Sequence, residues 1–399
     1  MSRKEKFSKW FYKAKVFAYS LVDIIYEEKT MIIEEAQEEV SLPEDYLARF
    51  SLESLENTDL LLGREEELKN LKTAYENWRI THNPVLVVGE AGEGTSSLLN
   101  ASSKEYSNVR NVKNQSAIHS QKRLIFLLKN VFKMEEEVKT LNEIRDFILE
   151  SDQNYQVVFE NIERMFIRKI GGFSLIESFL LFLHQTKGKV YWVVSINKYS
   201  NYYLNSVKLF SSNFPSIIHL KGMEEEFLNQ EIIRRNEGFN LVFLKPRKIT
   251  KKFNKLLKTT EQEARQELLK TEFEKRMVSF AKGNISRAIL YAKNSAFKAK
   301  ENTIYIKPYE AKSVPELSLN ELFLIEAIFQ HSRLTINELN NVLRNSKRET
   351  RLAVEQLLEK NLIFTYSEKS GRIEYGMNLL YVNELKIILH ERLNRHFKL

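Results

Sequence analysis

A glycine-rich segment near residue 90 has the residue types and spacing best suited to chemistry in this sequence. Residues 84–88 read Pro-Val-Leu-Val-Val and lead into Gly-Glu-Ala-Gly-Glu-Gly-Thr-Ser-Ser at residues 89–97. The apolar run predicts a buried strand, and the residues that follow the segment predict a helix. Glycines between a strand and a helix let backbone N–H groups curl around an anion. The sequence therefore predicts a phosphate-binding loop.

The predicted loop departs from the full phosphate-loop pattern at one position. In that pattern a lysine contacts the terminal phosphates, and the hydroxyl of the next residue binds magnesium. Ser96 occupies the hydroxyl position, whereas Thr95 occupies the lysine position. A glycine-rich turn without a ligand is the alternative, and the flanking strand and helix favour the loop. The residues predicted to contact a nucleotide are Gly89, Gly92, Gly94, Thr95, Ser96 and Ser97.

Several segments, in the same order along the chain, resemble the AAA+ and STAND families of P-loop ATPases. Residues 63–68 match the G-R-E-x-E-L box of these families, and residues 87–99 match their loop except at Thr95. Residues 42–50 are similar to a segment of large bacterial members that carry membrane spans ahead of the ATPase domain. The resemblance covers residues 41–365. It implies an α/β fold with a parallel sheet, a helical lid and a C-terminal winged helix-turn-helix, and it implies ATP or ADP with Mg²⁺.

The resemblance also implies roles for residues at two strand ends. Glu160 fits the first acid of a Walker B strand and would hold Mg²⁺ together with Ser96. Asn161 stands where hydrolytic relatives carry a water-activating glutamate, and Glu163 is a nearby substitute or a surface ion-pair partner. Asn197 fits the polar sensor at a strand end, and a plain turn residue is the alternative. The predicted catalytic residues are Glu160 and Asn197.

Three departures from the family pattern predict impaired hydrolysis. Thr95, Asn161 and Ser286 each replace a charged residue that would stabilise or drive phosphoryl transfer. Arg287 lies one residue beyond the expected lid arginine, and one step on a helix turns a side chain by roughly 100°. We therefore predict a regulatory nucleotide-binding switch, a pseudo-ATPase with weak or absent hydrolysis. Two alternatives stay open: an active ATPase that tolerates Thr95, and a DNA-binding or scaffold protein with a vestigial loop.

The chain divides into predicted segments by pattern. The segments are an amphipathic helical segment at 1–40, a connector at 41–62, a P-loop domain at 63–222, a helical lid at 223–310 and a winged helix at 316–399. Beyond the loop strand, predicted strands are residues 124–128, 157–160, 190–196 and 217–220, and predicted helices are residues 135–150 and 174–185. Residues 224–299 are predicted to be helical and charged. In the last domain, helices at 319–329, 336–343, 348–360 and 382–396 accompany strands at 362–366 and 373–375.

Composition and charge exclude some kinds of site and allow several partners. The chain contains no cysteine, which excludes disulfides and thiolate metal sites. Its net charge of +8 permits contact with nucleic acid or an anionic membrane without requiring either. The sequence predicts a cytoplasmic protein. Lysines and aromatic residues within residues 1–25 favour either a helix packed on protein or a peripheral contact with a membrane.

Partners beyond the nucleotide follow from the predicted lid and winged helix. A protein partner or a homo-oligomer is expected from the resemblance. DNA contact through the winged helix is a further prediction. The cations that would serve it are Lys347, Arg348, Arg351 and Lys360 on the predicted recognition helix, and Lys369 and Arg372 on the wing. The basic run at 245–258 would contact phosphates or lipid headgroups, or it is a solvated insertion in the lid.

Overall fold

The computed structural model describes residues 42–55, 60–104, 109–113, 117–135, 137–300, 302–367 and 371–393. The predicted helical segment at 1–40, and with it the membrane contact of residues 1–25, lies outside these residues. Lys369 of the predicted wing also lies outside them.

A parallel sheet of five strands forms the centre of the described P-loop region. The strands are β1 (Val85–Gly89), β2 (Val109–Lys113), β3 (Tyr155–Glu160), β4 (Val190–Asn197) and β5 (Ser216–His219). Their order is β2-β3-β4-β1-β5, so that β1 lies between β4 and β5. Every residue of β1 and β3 is buried. Continuous apolar runs of this kind are typical of strands that are covered on both faces. The predicted α/β class with a parallel sheet is confirmed.

Helices cover both faces of this sheet. They are α2 (Glu65–Thr81), α3 (Thr95–Lys104), α4 (Gln121–Phe132), α5 (Leu141–Glu150), α6 (Ser174–Thr186) and α7 (Lys198–Lys208). Helix α1 (Glu44–Ala48) precedes them and packs Tyr46 against the lid region. Helices α2 and α3 bury Leu71, Trp78 and Leu98 against one face. Helices α4 to α7 pack on the other face, in a larger core that includes Phe179 and Trp192.

The prediction of a strand at residues 124–128 is wrong, because these residues lie in α4. Leu124, Leu128 and Phe132 are buried at four-residue steps, which is the spacing of a helix face. Ser120 caps this helix by accepting a hydrogen bond from the backbone N–H of Arg123. The predicted helix at 135–150 is also too long, since α5 begins only after its cap at Thr140.

Residues 225–306 combine helices with a small sheet. The helices are α8 (Glu225–Arg235), α9 (Lys251–Thr259), α10 (Gln262–Ala281) and α11 (Ile285–Ser295), and the strands are β6 (Asn240–Phe243), β7 (Ala296–Lys300) and β8 (Thr303–Ile306). The strands pair in the order β6-β8-β7. The prediction that residues 224–299 are helical throughout is therefore wrong. The sheet was missed because charged helices surround it and its strands are short.

Two glycines set the distance between this lid region and the parallel sheet. A Cβ on Gly283 would lie 2.7 Å from the Cα of Gly222, closer than atoms of a folded protein approach. The backbone N–H of Met223 donates a hydrogen bond of 2.8 Å to the carbonyl of Gly283. Gly283 has a φ of +81°, which only glycine adopts at low cost. The two segments thus meet backbone to backbone.

Residues 317–393 form a compact group of elements that we call the C-terminal unit. Its elements are α12 (Leu319–His331), β9 (Arg333–Leu334), α13 (Ile336–Leu343), α14 (Lys347–Glu359), β10 (Ile363–Ser367), β11 (Ile373–Met377) and α15 (Val382–Leu393). The strands form an antiparallel sheet in the order β10-β11-β9. Thr335 caps α13 with a capping box. These helices and strands overlap the elements expected from the sequence, and a winged-helix function for them stays a prediction.

The C-terminal unit shares its core with the P-loop region. Ile167 and Tyr199 pack among the buried residues of α12 and α15.

No helix in the described ranges has the length and apolarity needed to cross a membrane.

Candidate functional site

The predicted phosphate loop connects β1 to α3 in the conformation that anion binding requires. Gly92 and Gly94 have φ values of +87° and +91°, in the region that favours glycine. Among the described residues, no protein acceptor takes the backbone N–H groups of Gly92, Gly94, Thr95 or Ser96. These donors stand at the N-terminus of α3, where the helix dipole favours an anion. The loop therefore presents a cluster of donors without acceptors.

The lid region contacts this loop. The side-chain amide of Asn284 donates 2.9 Å to the carbonyl of Ala91, and the backbone N–H of Ser286 donates 3.1 Å to the carbonyl of Gly92. A Cβ on Gly92 would lie 2.7 Å from Asn284 Oδ1 and 2.8 Å from Ser286 Cβ. The start of α11 thus fixes the loop, and position 92 has no room for a side chain.

Arg64 fixes the loop from a second direction. Its buried guanidinium donates 2.8 Å to the carbonyl of Glu93 and 2.7 Å to the carbonyl of Lys221, and it pairs with Glu67 at 3.0 Å. Within the loop, the backbone N–H of Glu90 donates 2.7 Å to the carboxylate of Glu93. The conformation of the loop is therefore maintained by protein contacts that leave its inner amides free.

Ser96 and Glu160 meet at the end of the loop, as the Mg²⁺ prediction requires. The Ser96 hydroxyl donates 2.5 Å to Glu160 Oε2. Burial raises the pKa of the Glu160 carboxyl, while the hydrogen bond from Ser96 and the charge of Lys113 oppose this rise. Mg²⁺ prefers oxygen ligands and keeps several waters beside one or two protein ligands. The hydroxyl and the carboxylate therefore fit Mg²⁺, the remaining positions being left to water and phosphate.

Thr95 and Ser97 direct their hydroxyls away from such a ligand site. A Cβ on Gly89 would lie 2.3 Å from Thr95 Oγ1, so this hydroxyl is directed back towards the end of β1. The Ser97 hydroxyl accepts a hydrogen bond of 3.0 Å from the backbone N–H of Leu55, and Asn100 donates 3.0 Å to the carbonyl of the same residue. Ser97 thereby ties the connector to α3.

The residues after β3 do not place a free base beside the loop. Asn161 has a φ of +59° and its backbone N–H donates 3.0 Å to Ser195 Oγ. The expectation of Glu163 as a surface ion-pair partner is wrong, because this side chain is buried. Glu163 Oε1 accepts 2.8 Å from the hydroxyl of Ser332, and Oε2 accepts 3.2 Å from the backbone N–H of Asn197. Burial raises the pKa of the Glu163 carboxyl, and these hydrogen bonds oppose the rise.

Asn197 lies at the end of β4 and contacts the C-terminal unit. Its Oδ1 accepts 2.8 Å from the backbone N–H of Tyr199, which caps α7, and its Nδ2 donates 3.2 Å to Ser332 Oγ. The residue therefore caps α7, and it also lines the cavity described below. Glu163, Asn197 and Ser332 form one hydrogen-bonded network.

Two buried ion pairs join the C-terminal unit to the site. Arg164 donates 2.6 and 2.7 Å to the two carboxylate oxygens of Glu374, and 2.9 Å to the carbonyl of Arg333. Lys386 of α15 pairs at 2.5 Å with Glu90 of the phosphate loop. Hydrogen bonds between a guanidinium and a carboxylate are among the stronger ones in proteins. The unit is thus fixed on residues that adjoin the predicted Walker B acid and the loop.

A cavity of about 850 Å³ connects these features. Its polar lining includes the phosphate loop, Glu160, Asn161 and Asn197. Apolar residues of the connector and the lid region also line it, namely Leu52, Leu55, Leu60, Leu61, Leu62, Met223, Ile285 and Ile289. Pockets of this size, apolar with a few convergent polar groups, are typical of small-molecule and cofactor sites.

Of the remaining predicted residues, one lines this cavity and the others described here do not. Ser286 lines the cavity. Arg287 is buried beside Phe280, to whose carbonyl it donates 2.8 Å, and it is not among the lining residues. Of the predicted DNA-contacting cations, Arg372 pairs with Glu338 at 2.6 Å and Lys360 pairs with Glu321. Lys347, Arg348 and Arg351 are exposed on α14.

Comparisons with known proteins give remote likenesses only. No family model matches the sequence, and no curated protein matches it. Among solved structures, the ORC1 protein of Aeropyrum pernix in complex with DNA is similar at 12% identity and a TM-score of 0.42, covering 88% of this chain and 98% of that one. A Walker-type ATPase of Pyrococcus abyssi is similar at 13% identity and a TM-score of 0.40, covering 84% and 99%. The case for function therefore rests on the geometry of this chain.

Sequence reasoning missed the residues that the C-terminal unit brings to the site. Ser332, Arg333 and Lys386 lie in or beside elements that were predicted, but nothing local marks them as neighbours of the loop. One signal was available for Lys386. Lys386 lies on the buried face of its helix, together with Leu385 and Leu389. A buried lysine requires an acid partner.

Proposed function

We propose that this chain is a nucleotide-binding regulatory switch of the AAA+/STAND type, which binds ATP or ADP with Mg²⁺ and hydrolyses ATP weakly or not at all. The observation that carries this proposal is the cavity that the phosphate loop and a set of apolar side chains line together. Free backbone donors at the start of α3 suit phosphates, and the apolar lining around Leu55, Met223 and Ile289 suits a planar base.

Weak hydrolysis is supported by the surroundings of the Walker B strand. Asn161 carries an amide, which does not accept a proton usefully. The acid considered as a replacement base is Glu163, and both of its carboxylate oxygens already accept hydrogen bonds. General-base assistance is worth about a hundred-fold or more in rate. We therefore expect a bound triphosphate to persist.

A switch is supported by the contacts of the C-terminal unit with this same site. Glu163, Asn197 and Glu90 all contact residues of that unit. A ligand that binds the loop and shifts these groups changes the stability of the docked arrangement. Such a ligand changes a conformational equilibrium only by its difference in affinity for the two states. The proposal therefore predicts that docking and nucleotide affinity are coupled.

The test is calorimetric titration of the full chain with ADP and with a β,γ-imido ATP analogue, each with and without Mg²⁺. We expect saturable binding that a matched titration of adenosine does not reproduce, and a rise in the unfolding temperature with ligand concentration. A parallel assay of phosphate release should show little turnover. Absence of binding would overturn the proposal, and Mg²⁺-dependent turnover that Glu160→Ala abolishes would favour an active ATPase.

A further inference from the structure

The cavity is lined by five cationic side chains, and three of them have an ion-pair partner. Arg64 pairs with Glu67, Arg164 with Glu374, and Arg235 with Glu231, which also pairs with Arg234. The other two are Lys113 and Arg333. In the part of the chain that the structure describes, neither has a carboxylate within ion-pairing distance. An uncompensated cation at a cavity wall is a site for an anionic group.

Arg333 is held in place by contacts that leave its guanidinium without an acceptor. Its Cζ lies 3.6 Å from the ring centroid of Tyr366, in a stacked cation–π contact. Gly376 makes room for this stack, since a Cβ there would lie 2.6 Å from the Tyr366 ring and 3.4 Å from Arg333 Cγ. The Arg333 carbonyl accepts the hydrogen bond from Arg164. Both the backbone and the side chain of Arg333 are therefore positioned before any ligand binds.

Lys113, at the end of β2, also lines this cavity. It is the register partner of Glu160 in the parallel sheet, and its charge acts on that carboxyl. It is exposed, and its flexible stem can place the ammonium group over a range of positions. Lys113 and Arg333 thus line the same cavity as the loop in which Thr95 supplies no charge.

We propose that Arg333 and Lys113 bind the terminal phosphates of the nucleotide and together replace the positive charge that position 95 lacks. This inference rests on the proposed nucleotide binding. It adds a consequence for specificity: because Arg333 belongs to the C-terminal unit, the docked unit completes the site. A nucleotide with more phosphates should then favour the docked arrangement.

The test is calorimetric titration of Arg333→Gln and Lys113→Gln with the imido ATP analogue and with AMP, both with Mg²⁺. We expect each substitution to weaken binding of the triphosphate analogue about ten- to a hundred-fold, as loss of a charge-assisted hydrogen bond implies. Binding of AMP should weaken much less. Arg348→Gln and Lys122→Gln, which remove exposed cations outside the cavity, are the matched controls. Unfolding temperatures without ligand show that each variant is folded, and Arg333→Lys should retain part of the affinity.

Restoring the missing lysine provides a second arm. Thr95→Lys in the Arg333→Gln background should recover triphosphate affinity if the two positions serve the same phosphates. The inference is overturned in either of two cases. In the first, the wild-type chain and both cavity variants bind the analogue with equal affinity. In the second, the two substitutions weaken binding of AMP as much as they weaken binding of the analogue. Absence of any binding by the wild-type chain would instead overturn the proposed nucleotide function.

Discussion

Two adjacent serines of the phosphate loop have different partners and separate ligand binding from packing. The Ser96 hydroxyl donates to Glu160, whereas the Ser97 hydroxyl accepts from the backbone N–H of Leu55. Their side chains have the same chemistry and differ only in direction. A comparison of the two serines therefore isolates the Mg²⁺ contribution.

Ser96→Ala should weaken binding of the imido ATP analogue about ten-fold in the presence of Mg²⁺, because one oxygen ligand of the cation is lost. In the absence of Mg²⁺ the affinity should change little. Ser97→Ala should lower the unfolding temperature slightly and leave the Mg²⁺ dependence intact. Titration calorimetry with and without Mg²⁺ measures both. Equal effects of the two variants on Mg²⁺-dependent affinity would show that position 96 has no special role.

His331 is a buried histidine next to Ser332 and should make stability depend on pH. Desolvation, reinforced by Arg168, lowers its pKa to about 3. Since the unfolded chain takes up the proton first, this residue's contribution to stability is complete above pH 6.5 and is lost as pH falls towards 3. The loss is at most about 1.4 kcal/mol per pH unit.

His331→Phe should remove that part of the pH dependence. The Phe166 ring, whose centroid lies 4.6 Å from that of the imidazole, already provides an apolar neighbour for the new side chain. His219→Gln, an exposed site, is the control. Denaturant unfolding at pH 7.5 and pH 5.5 gives the difference. If wild type and His331→Phe lose the same free energy of unfolding on acidification, the buried imidazole is not responsible.

At the scale of elements, the contact between α15 and the phosphate loop depends on one buried ion pair. Lys386→Met should lower the free energy of unfolding by about 3 kcal/mol, because Glu90 is left buried without its partner. Glu90→Leu combined with Lys386→Met should recover much of that loss. Lys208→Met, which breaks an exposed pair with Glu177, should cost less than about 1 kcal/mol. Chemical denaturation of the wild type and these three variants measures each free energy of unfolding.

A small effect of Lys386→Met, similar to that of Lys208→Met, would mean that water reaches Glu90 when the lysine is removed. The pair would then contribute to orientation and little to stability.

Local patterns were enough to predict the elements around the loop and most of the C-terminal unit. The apolar run before Gly89 and the cap at Thr335 are signals within a few residues of the elements that they start. The strand expected at residues 124–128 failed because a short apolar run does not separate a strand from a buried helix turn. The small sheet of β6, β7 and β8 failed because short strands in a charged region have no clear periodicity.

The contacts that complete the site could not be predicted in this way. Ser332 lies 135 residues from Asn197 and 169 residues from Glu163, yet it contacts both. Contacts at such separation follow from how whole regions pack, and they have no signature in the neighbouring residues. The sequence predicted Glu160 and the loop as a site, and it did not indicate that Arg333 would be beside them.

At the scale of the whole molecule, the pair of Arg164 with Glu374 should determine how firmly the C-terminal unit is docked. Glu374→Met should release the unit, because Arg164 is left buried without its carboxylate partner. The connection at residues 307–318 exposes Lys312, so trypsin should cut there faster in the variant. Initial cleavage rates, with Asp146→Met at an exposed pair as the control, measure the change.

A persistent fragment that ends near Lys312 is the expected product of this digestion. Rapid digestion of the whole chain would instead mean that the substitution unfolds the protein, and unchanged cleavage would mean that the pair does not limit release.

The backbone contact between Gly222 and Gly283 acts as a pivot. With no side chains between the two segments, they cannot slide past one another without losing the Met223–Gly283 hydrogen bond. Any widening of the cavity should therefore be a rotation about this point, in which residues near it move least. Spectroscopic labels distant from the glycine contact would then register ligand-dependent motion, whereas labels beside it would stay still.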